Sequence, residues 1–437
     1  MRRRTHSRRQ PKAQPIGPLQ TFHIDGLTHE AKGVARLDGK VVFIDGALPG
    51  EAVSAQITKT GRHFDEARLS EVIEPSQYRI DPSCQHFSEC GGCSFQHLSW
   101  QEQVSAKSTW LKGQLRNVVS DDEDMHILAD KGEGYRRRAR IAIDYKSGGL
   151  GFRGKASKEI ISIEQCVVLT EPLQAVFSSL KAALSNDELV RSLGHIELLE
   201  DSKGVSVLFR LTSAIADSLT TQWQDWAKSE EIVLYWQAPK ESKARVELED
   251  MRYYDLDNMR FNYHPQDFIQ VNTMMNQKMV AQAIEWLNPT QEDVILDLFC
   301  GVGNFSLPLA KRAQSVIGVE VQETMVQAAQ NNAALNGLDN VSFVAADLTQ
   351  PIAKKFIKDK VTKILLDPPR AGAFEFLDTI IKIKPMQILY VSCNASTLAR
   401  DAEYLVTKGY RVLRVSLMDM FPQTSHVETM MLLQRKK

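Results

Sequence analysis

The feature that most constrains the fold is a regular succession of apolar runs, loops and helical segments after residue 261. Five segments follow this plan: DVILDLFCGVGNFSLPLAK, SVIGVEVQETMVQAAQNNAALNG, VSFVAADLTQPIAKKF, KILLDPPR and QILYVSCNASTLARDAEYLVTKG. A short apolar run, then a loop and usually a helix, is typical of parallel βαβ units. Two long apolar runs without a helix between them close the chain. The sequence therefore predicts a doubly wound parallel sheet that ends in a hairpin.

Acidic residues mark the ends of the first three predicted strands. The first loop, DLFCGVGNF, begins with Asp297 and has two glycines, which allow a close backbone approach to a ligand. Glu320 follows 23 residues later, where a carboxylate can bind ribose hydroxyls, and Asp347 is placed to accept from an adenine amino group. The pattern resembles an S-adenosylmethionine-dependent methyltransferase. NAD(P) ranks well below, because the third glycine of a dinucleotide site is absent.

The fourth and fifth predicted strands end in DPPR (367–370) and in Cys393. Ligands of open α/β sheets bind outside the carboxyl ends of the strands, so both motifs are expected to face the methyl donor. A nitrogen acceptor needs no covalent help, whereas C5 of a pyrimidine becomes nucleophilic when a thiolate adds to C6. Cys393 is therefore the candidate nucleophile. Cys300, inside the glycine turn, is expected to be a packing residue.

This chemistry also requires a general base that removes the C5 proton. Glu428, at the start of the last predicted strand, is the candidate, and His426 competes for the role. Burial would raise the proton affinity of the Glu428 carboxylate, which suits a base that works near neutral pH. The alternative is a solvent-facing glutamate on an edge strand.

The amino-terminal part predicts contact with nucleic acid. Residues 1–14 contain six Lys or Arg and no acid, which indicates a disordered basic arm suited to phosphates, although a solubilising or targeting tail is an alternative. Residues 15–75 alternate short β-rich runs with turns such as LDGK and LPGE. They predict a small antiparallel barrel, a type that often binds oligonucleotides.

A cysteine cluster marks the central part, residues 76–260, in which short strands and helices are mixed. Cys84, Cys90 and Cys93 are close together, and Cys166 follows later. The chain starts without the apolar segment of an export signal, so reduced thiols are expected and metal ligation is favoured over disulfides. Four thiolates suit a tetrahedral zinc ion or an iron–sulfur cluster. The spacing lacks the paired CxxC motifs of a zinc finger and so favours iron and sulfur, with zinc still open.

Composition excludes two other classes of protein. Apolar residues make up 43% and charged residues 24% of the 437 residues, which leaves little room for global disorder. No apolar run approaches the roughly 18 residues of a membrane span. We therefore expect a cytoplasmic monomer with no membrane partner.

Together these motifs resemble the RNA uracil-5-methyltransferases that carry an iron–sulfur cluster, in the branch that modifies 23S ribosomal RNA. EAKGVARLDGKVVFIDGALPGE resembles the TRAM domain, an OB-like RNA-binding module. CQHFSECGGCSFQHL with the later cysteine resembles the [4Fe-4S] site. FIQVN, DLFCGVGNFSLPLA, DPPR, SCN and HVE resemble the catalytic domain in order. Because the other branches lack the barrel, the cluster or both, all three parts together select this one.

The resemblance implies a multidomain α/β chain and a role for each site residue. It implies a TRAM barrel over 15–75, a central α+β domain with the cluster over 76–260, and a Rossmann-like methyltransferase domain over 261–437. Cys393 would be the nucleophile and Glu428 the proton acceptor. S-adenosylmethionine would contact Gln270, Phe299, Asn304, Glu320, Asp347 and Asp367, and the [4Fe-4S] cluster would be bound by Cys84, Cys90, Cys93 and Cys166.

Two alternative functions belong to other classes. The enzyme could methylate an RNA nitrogen through the DPPR turn, with Cys393 only structural. The chain could also be a redox-responsive RNA-binding protein without catalysis, although the acids on three strands count against this.

Overall fold

The computed structural model describes residues 17–120, 124–130, 132–145, 147–185, 187–246, 251–348 and 360–436. The expected basic arm over residues 1–14 lies outside this part of the chain. Two compact units can be distinguished, one formed by Met1–Ser83 and Ser94–Trp110 and the other by Cys84–Cys93 and Leu111–Lys437. Each unit is described by itself.

The first unit contains one six-stranded sheet. Its strands are β1 (Gln20–His23), β2 (Gly26–Leu27), β3 (Lys32–Leu37), β4 (Lys40–Asp45), β5 (Ala52–Thr60) and β6 (Phe64–Glu74). They lie in the order β1-β5-β6-β4-β3-β2. The first and last strands of this order are neighbours in the chain, so the sheet curls back on itself. Its inner face is apolar and includes Val42, Ile44, Val53 and Ile57.

One strand pairing of this sheet differs from the sequence prediction. Strands β4 and β6 pair in parallel, with Ile44 opposite Ala67, whereas the other pairings of the sheet are antiparallel. The prediction of a purely antiparallel barrel is therefore wrong for this pair. Turn residues identify hairpins between consecutive strands, but a pairing that skips a strand leaves no such signal.

The second unit begins with a mixed six-stranded sheet. Helix α1 (Trp100–Leu115) crosses the boundary between the units in sequence, and β7 (His126–Leu128) follows it. The sheet itself has the order β10-β9-β8-β11-β12-β13. Its elements are β8 (Arg138–Asp144), β9 (Gly149–Arg153), β10 (Ile160–Ser162), α2 (Glu171–Leu184), β11 (Leu193–Asp201), β12 (Gly204–Leu211), α3 (Asp217–Ser229) and β13 (Val233–Gln237).

The rest of this unit forms an eight-stranded sheet in the order β18-β17-β16-β19-β20-β22-β21-β7, preceded by a separate hairpin of β14 and β15. The elements of this part, in chain order, are β14 (Arg252–Leu256), β15 (Met259–Tyr263), α4 (Thr273–Leu287), β16 (Val294–Leu298), α5 (Ser306–Ala310), β17 (Ser315–Glu320), α6 (Glu323–Leu335), β18 (Val341–Ala345), β19 (Lys363–Leu366), α7 (Leu377–Ile383), β20 (Gln387–Ser392), α8 (Ala395–Thr407), β21 (Tyr410–Met418) and β22 (Glu428–Arg435).

The predicted parallel sheet and its closing hairpin are confirmed. Strands β16 to β20 pair in parallel, and β22 runs antiparallel to both β20 and β21. The central strand β16 is buried along its whole length, as expected for a strand covered by helices on both faces. The sequence did not predict that β7 extends the sheet beside β21, because three residues carry no readable pattern.

The strand order fixes where a ligand can bind. From β16 the chain proceeds to β17 and β18 on one side, and it returns to β19 and β20 on the other. Such a reversal opens a crevice at the carboxyl ends of the two central strands. The loops after β16 and β19 therefore line the crevice.

A fully buried ion pair connects the hairpin β14–β15 to the end of β11. Arg252 and Asp201 have no exposed side-chain surface, and their Nη2 and Oδ1 atoms lie 2.5 Å apart. The Tyr263 hydroxyl donates a further hydrogen bond to the same carboxylate. Burying both charges is unfavourable unless each remains paired. Loss of one partner should therefore cost much more than loss of a surface ion pair.

We predict that Asp201→Ala lowers the free energy of unfolding by about 3–5 kcal/mol, because it leaves the Arg252 charge buried and unpaired. Urea unfolding followed by circular dichroism measures this change. The matched control is Asp255→Ala, whose pair with Arg260 is about half exposed and should contribute about 1 kcal/mol or less. Equal losses in the two variants would contradict the prediction.

Candidate active site

The glycine turn after β16 has a constrained backbone. Phe299 has a φ of 65°, which is unfavourable for a bulky side chain. Its amide donates to the carbonyl of Val319 at 2.8 Å, and the amide of Cys300 donates to the same oxygen at 3.1 Å. The two hydrogen bonds hold this conformation against the neighbouring strand β17. Strain of this kind is found at ligand-binding turns, and it directs the turn into the crevice.

A close approach between strands explains one glycine near this turn. A Cβ atom on Gly318 would lie 2.4 Å from Phe343 and 2.9 Å from the Cys300 sulfur. Cys300 itself is 5% exposed and packs in the core of the sheet. It therefore occupies the packing position expected from its place in the turn.

Glu320 lies at the carboxyl end of β17, as predicted. Its carboxylate accepts from the amide of Gly301 at 3.3 Å and from the amides of Val321 and Gln322 at 2.9 and 3.0 Å. Backbone amides thus hold both oxygens of the carboxylate beside the glycine turn. The arrangement suits recognition of a ribose hydroxyl pair.

Asn304 is held by two residues that the sequence did not indicate. Its side-chain amide exchanges two hydrogen bonds with the side-chain amide of Asn276, at 3.0 and 3.1 Å. It accepts a third from the Tyr254 hydroxyl at 3.0 Å. The supporting residues lie on α4 and β14, far from Asn304 in the sequence. Since neither belongs to a motif, only the structure reveals them.

Two more of the expected cofactor residues, Asp347 and Gln270, lie outside the helices and strands. Asp347 is exposed and lies two residues beyond the end of β18. Gln270 is partly buried in the segment before α4, and its carbonyl accepts from the Arg137 Nε at 2.9 Å. Helix α4 then begins after Asn272, whose side chain accepts from the Met275 amide. Asp347 thus follows the end of a strand, and Gln270 precedes the start of a helix.

Cys393 and Glu428 lie in the same electrostatic environment. Burial raises the pKa of the Cys393 thiol, and the negative charges of Glu428 and Asp367 raise it further, while Arg370 lowers it. Burial, assisted by Asp367, also raises the pKa of Glu428 to about 8, against the effect of Arg370. Glu428 and Cys393 lie in the same region because β22 begins at Glu428 and β20 ends one residue before Cys393.

Two further acids in the crevice have raised pKa values. Burial raises the pKa of Asp367 to about 7. Burial also raises the pKa of Asp297 to about 7, with smaller contributions from the charges of Asp367 and Glu320, and against a hydrogen bond from Ser306. Buried acids favour a positively charged ligand, because a cation beside them stabilises their ionised forms.

Arg370 is the functional candidate to which the sequence assigned no separate role. Its charge lowers the pKa of both Cys393 and Glu428. Its backbone carbonyl accepts from the Asn394 side chain at 3.0 Å, so the DPPR loop is attached directly to the residue that follows Cys393. The motif DPPR was visible in the sequence, but the charge it brings to Cys393 was not.

Three of the four central cysteines, Cys84, Cys90 and Cys166, lie near one another within the second unit. The amide of Gly91 donates to the Arg153 carbonyl at 2.9 Å, which attaches the segment Cys84–Cys93 to the end of β9. Burial raises the pKa of Cys166 to about 11, and the charges of Cys84 and Cys90 contribute to the rise. Burial and Cys84 likewise raise the pKa of Cys90. The thiols are therefore near enough to repel one another as thiolates.

Backbone amides point at two of these sulfurs. Gly92 donates to the Cys90 Sγ at 3.4 Å, and the amides of Val168 and Leu169 lower the pKa of Cys166 by hydrogen bonding. Among the described residues, no three His, Cys, Asp or Glu side chains are arranged to hold a single metal ion. None of the six cysteines, all of which the structure describes, forms a disulfide.

The parallel sheet, its glycine turn and the acids at its strand ends define a methyltransferase of the S-adenosylmethionine-dependent class. A solved structure with a similar fold is the tRNA (uracil-54, C5)-methyltransferase of Pyrococcus abyssi in complex with S-adenosyl-L-homocysteine. The TM-score is 0.77 at 24% identity, over 95% of this chain and 100% of that one.

Family models and relatives agree with this class. The model for tRNA (uracil-5-)-methyltransferase matches residues 99–436, and the TRAM domain model matches residues 16–69. A protein of Marinomonas sp. (strain MWYL1) named 23S rRNA (uracil(1939)-C(5))-methyltransferase RlmD is 70% identical over 100% of both chains. A protein of the same name from Aeromonas hydrophila is 40% identical, over 95% of this chain and 96% of its own. The chain belongs to the tRNA (uracil-5-)-methyltransferase family.

In the described part of the chain, no helix combines the length and apolar character needed to span a bilayer.

The raised pKa of Asp297 predicts a pH-dependent stability. An acid whose pKa rises from 3.8 to about 7 on folding stabilises the fold below pH 4, and this stabilisation is lost as the pH rises through 7. Asp297→Asn mimics the protonated form. Relative to the unmodified chain, we expect the stabilisation by this variant to be about 2–3 kcal/mol larger at pH 8 than at pH 5. Urea unfolding at the two pH values measures the gain.

Asp293 provides the matched control for this measurement. Hydrogen bonds from Lys363 and Thr362 lower its pKa against the effect of burial, so it is ionised in both the folded and the unfolded state at pH 5 and 8. Asp293→Asn should therefore lose the same stability at both values. A pH-independent effect of Asp297→Asn would show that the carboxyl ionises normally.

Proposed function

We propose that this protein transfers a methyl group from S-adenosylmethionine to C5 of a uridine in 23S ribosomal RNA, through a covalent bond between Cys393 and C6. The observation that carries the proposal is the shared environment of Cys393 and Glu428. Besides burial, the charges of Glu428 and Asp367 raise the pKa of Cys393, and the charge of Asp367 raises the pKa of Glu428. A nucleophile and a base at one site are what C5 methylation needs.

The reaction balances with these two residues. The Cys393 thiolate forms a bond to C6, and the π electrons of the C5–C6 double bond move toward C5. C5 then attacks the methyl carbon, and the methyl–sulfur bond breaks to release S-adenosylhomocysteine. Glu428 accepts the proton from C5, the double bond re-forms, and the Cys393 thiolate leaves. The methyl group replaces the proton, and the enzyme returns unchanged apart from that proton.

The charges in the site support this order of events. Without a ligand, Cys393 and Glu428 both have raised pKa values and are largely protonated at neutral pH. The positive sulfonium of the methyl donor would favour their ionised forms. Binding of the donor would therefore activate both groups, and the thiolate would form mainly when the methyl group is present.

We assign six residues to contacts with the methyl donor. Three carboxylates surround the crevice: Glu320 suits the ribose, Asp347 the adenine amino group, and Asp367 the region near the target base. The other three residues are Gln270, Phe299 and Asn304. The constrained turn at Phe299 and the hydrogen bonds that hold Asn304 support a preformed site.

The choice of 23S RNA as substrate rests on full-length relatives. The Marinomonas protein that carries this activity in its name matches the chain from end to end at 70% identity. The curled sheet of the first unit, which the TRAM model matches, would act as an OB-like RNA-binding module. The six cations of residues 1–14 would add contacts with phosphates.

We also propose that Cys84, Cys90, Cys93 and Cys166 hold a [4Fe-4S] cluster. The donor set fits, because two of the thiols have pKa values raised partly by the others, and bound iron would remove that repulsion. The amides aimed at Cys90 and Cys166 would stabilise bound thiolates, as hydrogen bonds to sulfur do in such sites. When bound, the cluster would supply a cross-link between distant segments.

Trapping tests the covalent step. RNA that contains 5-fluorouridine at the target should form a stable adduct in the presence of S-adenosylmethionine, because fluorine cannot be removed as a proton. Cys393→Ala should abolish the adduct and reduce methyl transfer by at least about 10³-fold. Denaturing electrophoresis measures the adduct, and mass spectrometry of the RNA measures methylation.

Glu428→Gln is the matched variant for this experiment. Addition and methyl transfer do not need the base, so this variant should accumulate the adduct with unmodified RNA as well. Methyl transfer that persists in Cys393→Ala would refute the mechanism and favour nitrogen methylation through the DPPR loop. Methylation of uridines elsewhere than in 23S RNA would refute only the assigned substrate.

Removal of one cluster ligand tests the metal assignment. Anaerobically purified protein should be brown and contain close to four iron and four sulfide per chain, as a [4Fe-4S] cluster requires. Cys90→Ser should lose the colour, and its stability or RNA affinity should fall. Cys393→Ala, which changes a thiol elsewhere, should keep its full iron content. A colourless protein that releases zinc would contradict the cluster, and normal stability and RNA affinity in Cys90→Ser would contradict its structural role.

A further inference from the structure

The loop that carries Arg370 is held by hydrogen bonds from one face of helix α8. The carbonyl of Arg370 accepts from the Asn394 side chain at 3.0 Å and from the Thr397 hydroxyl at 3.3 Å. The carbonyl of the next residue, Ala371, accepts from the Arg400 guanidinium at 3.0 Å. These residues lie on the first two turns of the helix that follows Cys393. The loop and the nucleophile are therefore attached to the same element.

The other end of the loop is held by a buried pair, Asp401 and Tyr390. Neither residue has exposed surface. The amide of Ala373 donates to the Asp401 Oδ2 at 2.8 Å and to the Tyr390 hydroxyl at 3.0 Å, and that hydroxyl donates to the same Oδ2 at 2.8 Å. Burial and the Asp401 charge raise the pKa of Tyr390, so its hydroxyl remains a donor.

The fit of the loop against Asp401 is tight. Gly372 has a φ of 81°, and a Cβ at this position would lie 2.7 Å from the Asp401 Oδ2 and 2.8 Å from the Arg400 Nη2. Arg400 balances the buried carboxylate, with its Nη2 2.7 Å from Oδ1. A backbone that passes so near a buried carboxylate has little freedom to move while the carboxylate remains in place.

Tyr390 connects this support to the catalytic strand. It lies in β20, three residues before Cys393, and β20 is buried from its second residue to its last. The strand that carries the nucleophile and the loop that carries Arg370 therefore share one hydrogen-bonded centre. Of the charged groups that act on Cys393, Glu428 and Asp367 are negative and Arg370 is positive. A shift of the loop would move that positive charge.

We propose that Asp401 and Tyr390 are positioning residues for methyl transfer, which together hold the Arg370 loop beside the nucleophile. Neither residue contacts the reacting atoms, and each acts through Arg370. The proposal rests on the function proposed above, in which Cys393 attacks the base.

The reactivity of the Cys393 thiol provides a direct test. The rate at which iodoacetamide alkylates Cys393, followed by peptide mass spectrometry from pH 6 to 10, reports the fraction of thiolate. We expect Tyr390→Phe and Asp401→Asn to slow alkylation at pH 7.5 by about 3–10-fold and to move the profile to higher pH, because Arg370 no longer has a fixed position. The control is Tyr404→Phe, a change on the same helix that removes only a bond to the surface residue Asp378. It should leave the profile unchanged.

A double-mutant cycle shows whether the effect passes through Arg370. If it does, Tyr390→Phe should change alkylation in the unmodified chain but have no further effect in an Arg370→Ala background. Effects that multiply in the double variant, or an unchanged profile in Tyr390→Phe despite a lower melting temperature, would overturn the proposal. Tyr390→Phe keeps the buried ring, so it carries the test even if Asp401→Asn does not fold.

The same variants separate this proposal from the proposed function. Alkylation needs neither RNA nor the methyl donor, so its outcome does not depend on which base is methylated. If Cys393→Ala retained methyl transfer, the covalent mechanism would fail whatever the alkylation profile showed. If the mechanism holds, Tyr390→Phe should lower kcat for methylation by a factor similar to its effect on alkylation, with the KM for RNA unchanged.

Discussion

The burial of acids at one edge of a parallel sheet is the constraint on which the site depends. Parallel strands all present their carboxyl ends on the same side, so Asp297, Glu320 and Asp367 come together in one crevice. The pKa values of Asp297 and Asp367 rise to about 7 as a result of burial. A positively charged methyl donor in the crevice would favour the ionised forms of these acids.

The sequence predicted the parts of this arrangement that depend on local order along the chain. Apolar runs, turns and strand-end acids are periodic or adjacent features, and they identified the sheet, its closing hairpin and the positions of Cys393 and Glu320. Features that depend on contacts across the fold were not predictable. Strand β7 joins the sheet from almost 300 residues before its neighbour β21, and Asn276 supports Asn304 from another helix. Such contacts follow from packing and leave no local pattern.

Motif residues also differ in how much their sequence position says about their role. The DPPR motif indicated a ligand-facing turn, but the charge that Arg370 places near Cys393 depends on how the loop is held by α8. The residues that hold it, Asp401 among them, look like ordinary positions of an amphipathic helix. A short motif thus depends on residues that carry no motif, and these residues hold the loop in place against α8.

The reversed direction of the last strand explains how Glu428 comes to lie near Cys393, 35 residues earlier in the chain. A parallel strand would bring its carboxyl end to the crevice, as β19 and β20 do. Strand β22 is antiparallel to β20, with Thr429 opposite Ser392, so its first residue lies at the crevice instead. Glu428 therefore enters the site from the amino end of a strand whose next five residues are buried. The burial that raises its pKa is a direct consequence of this topology.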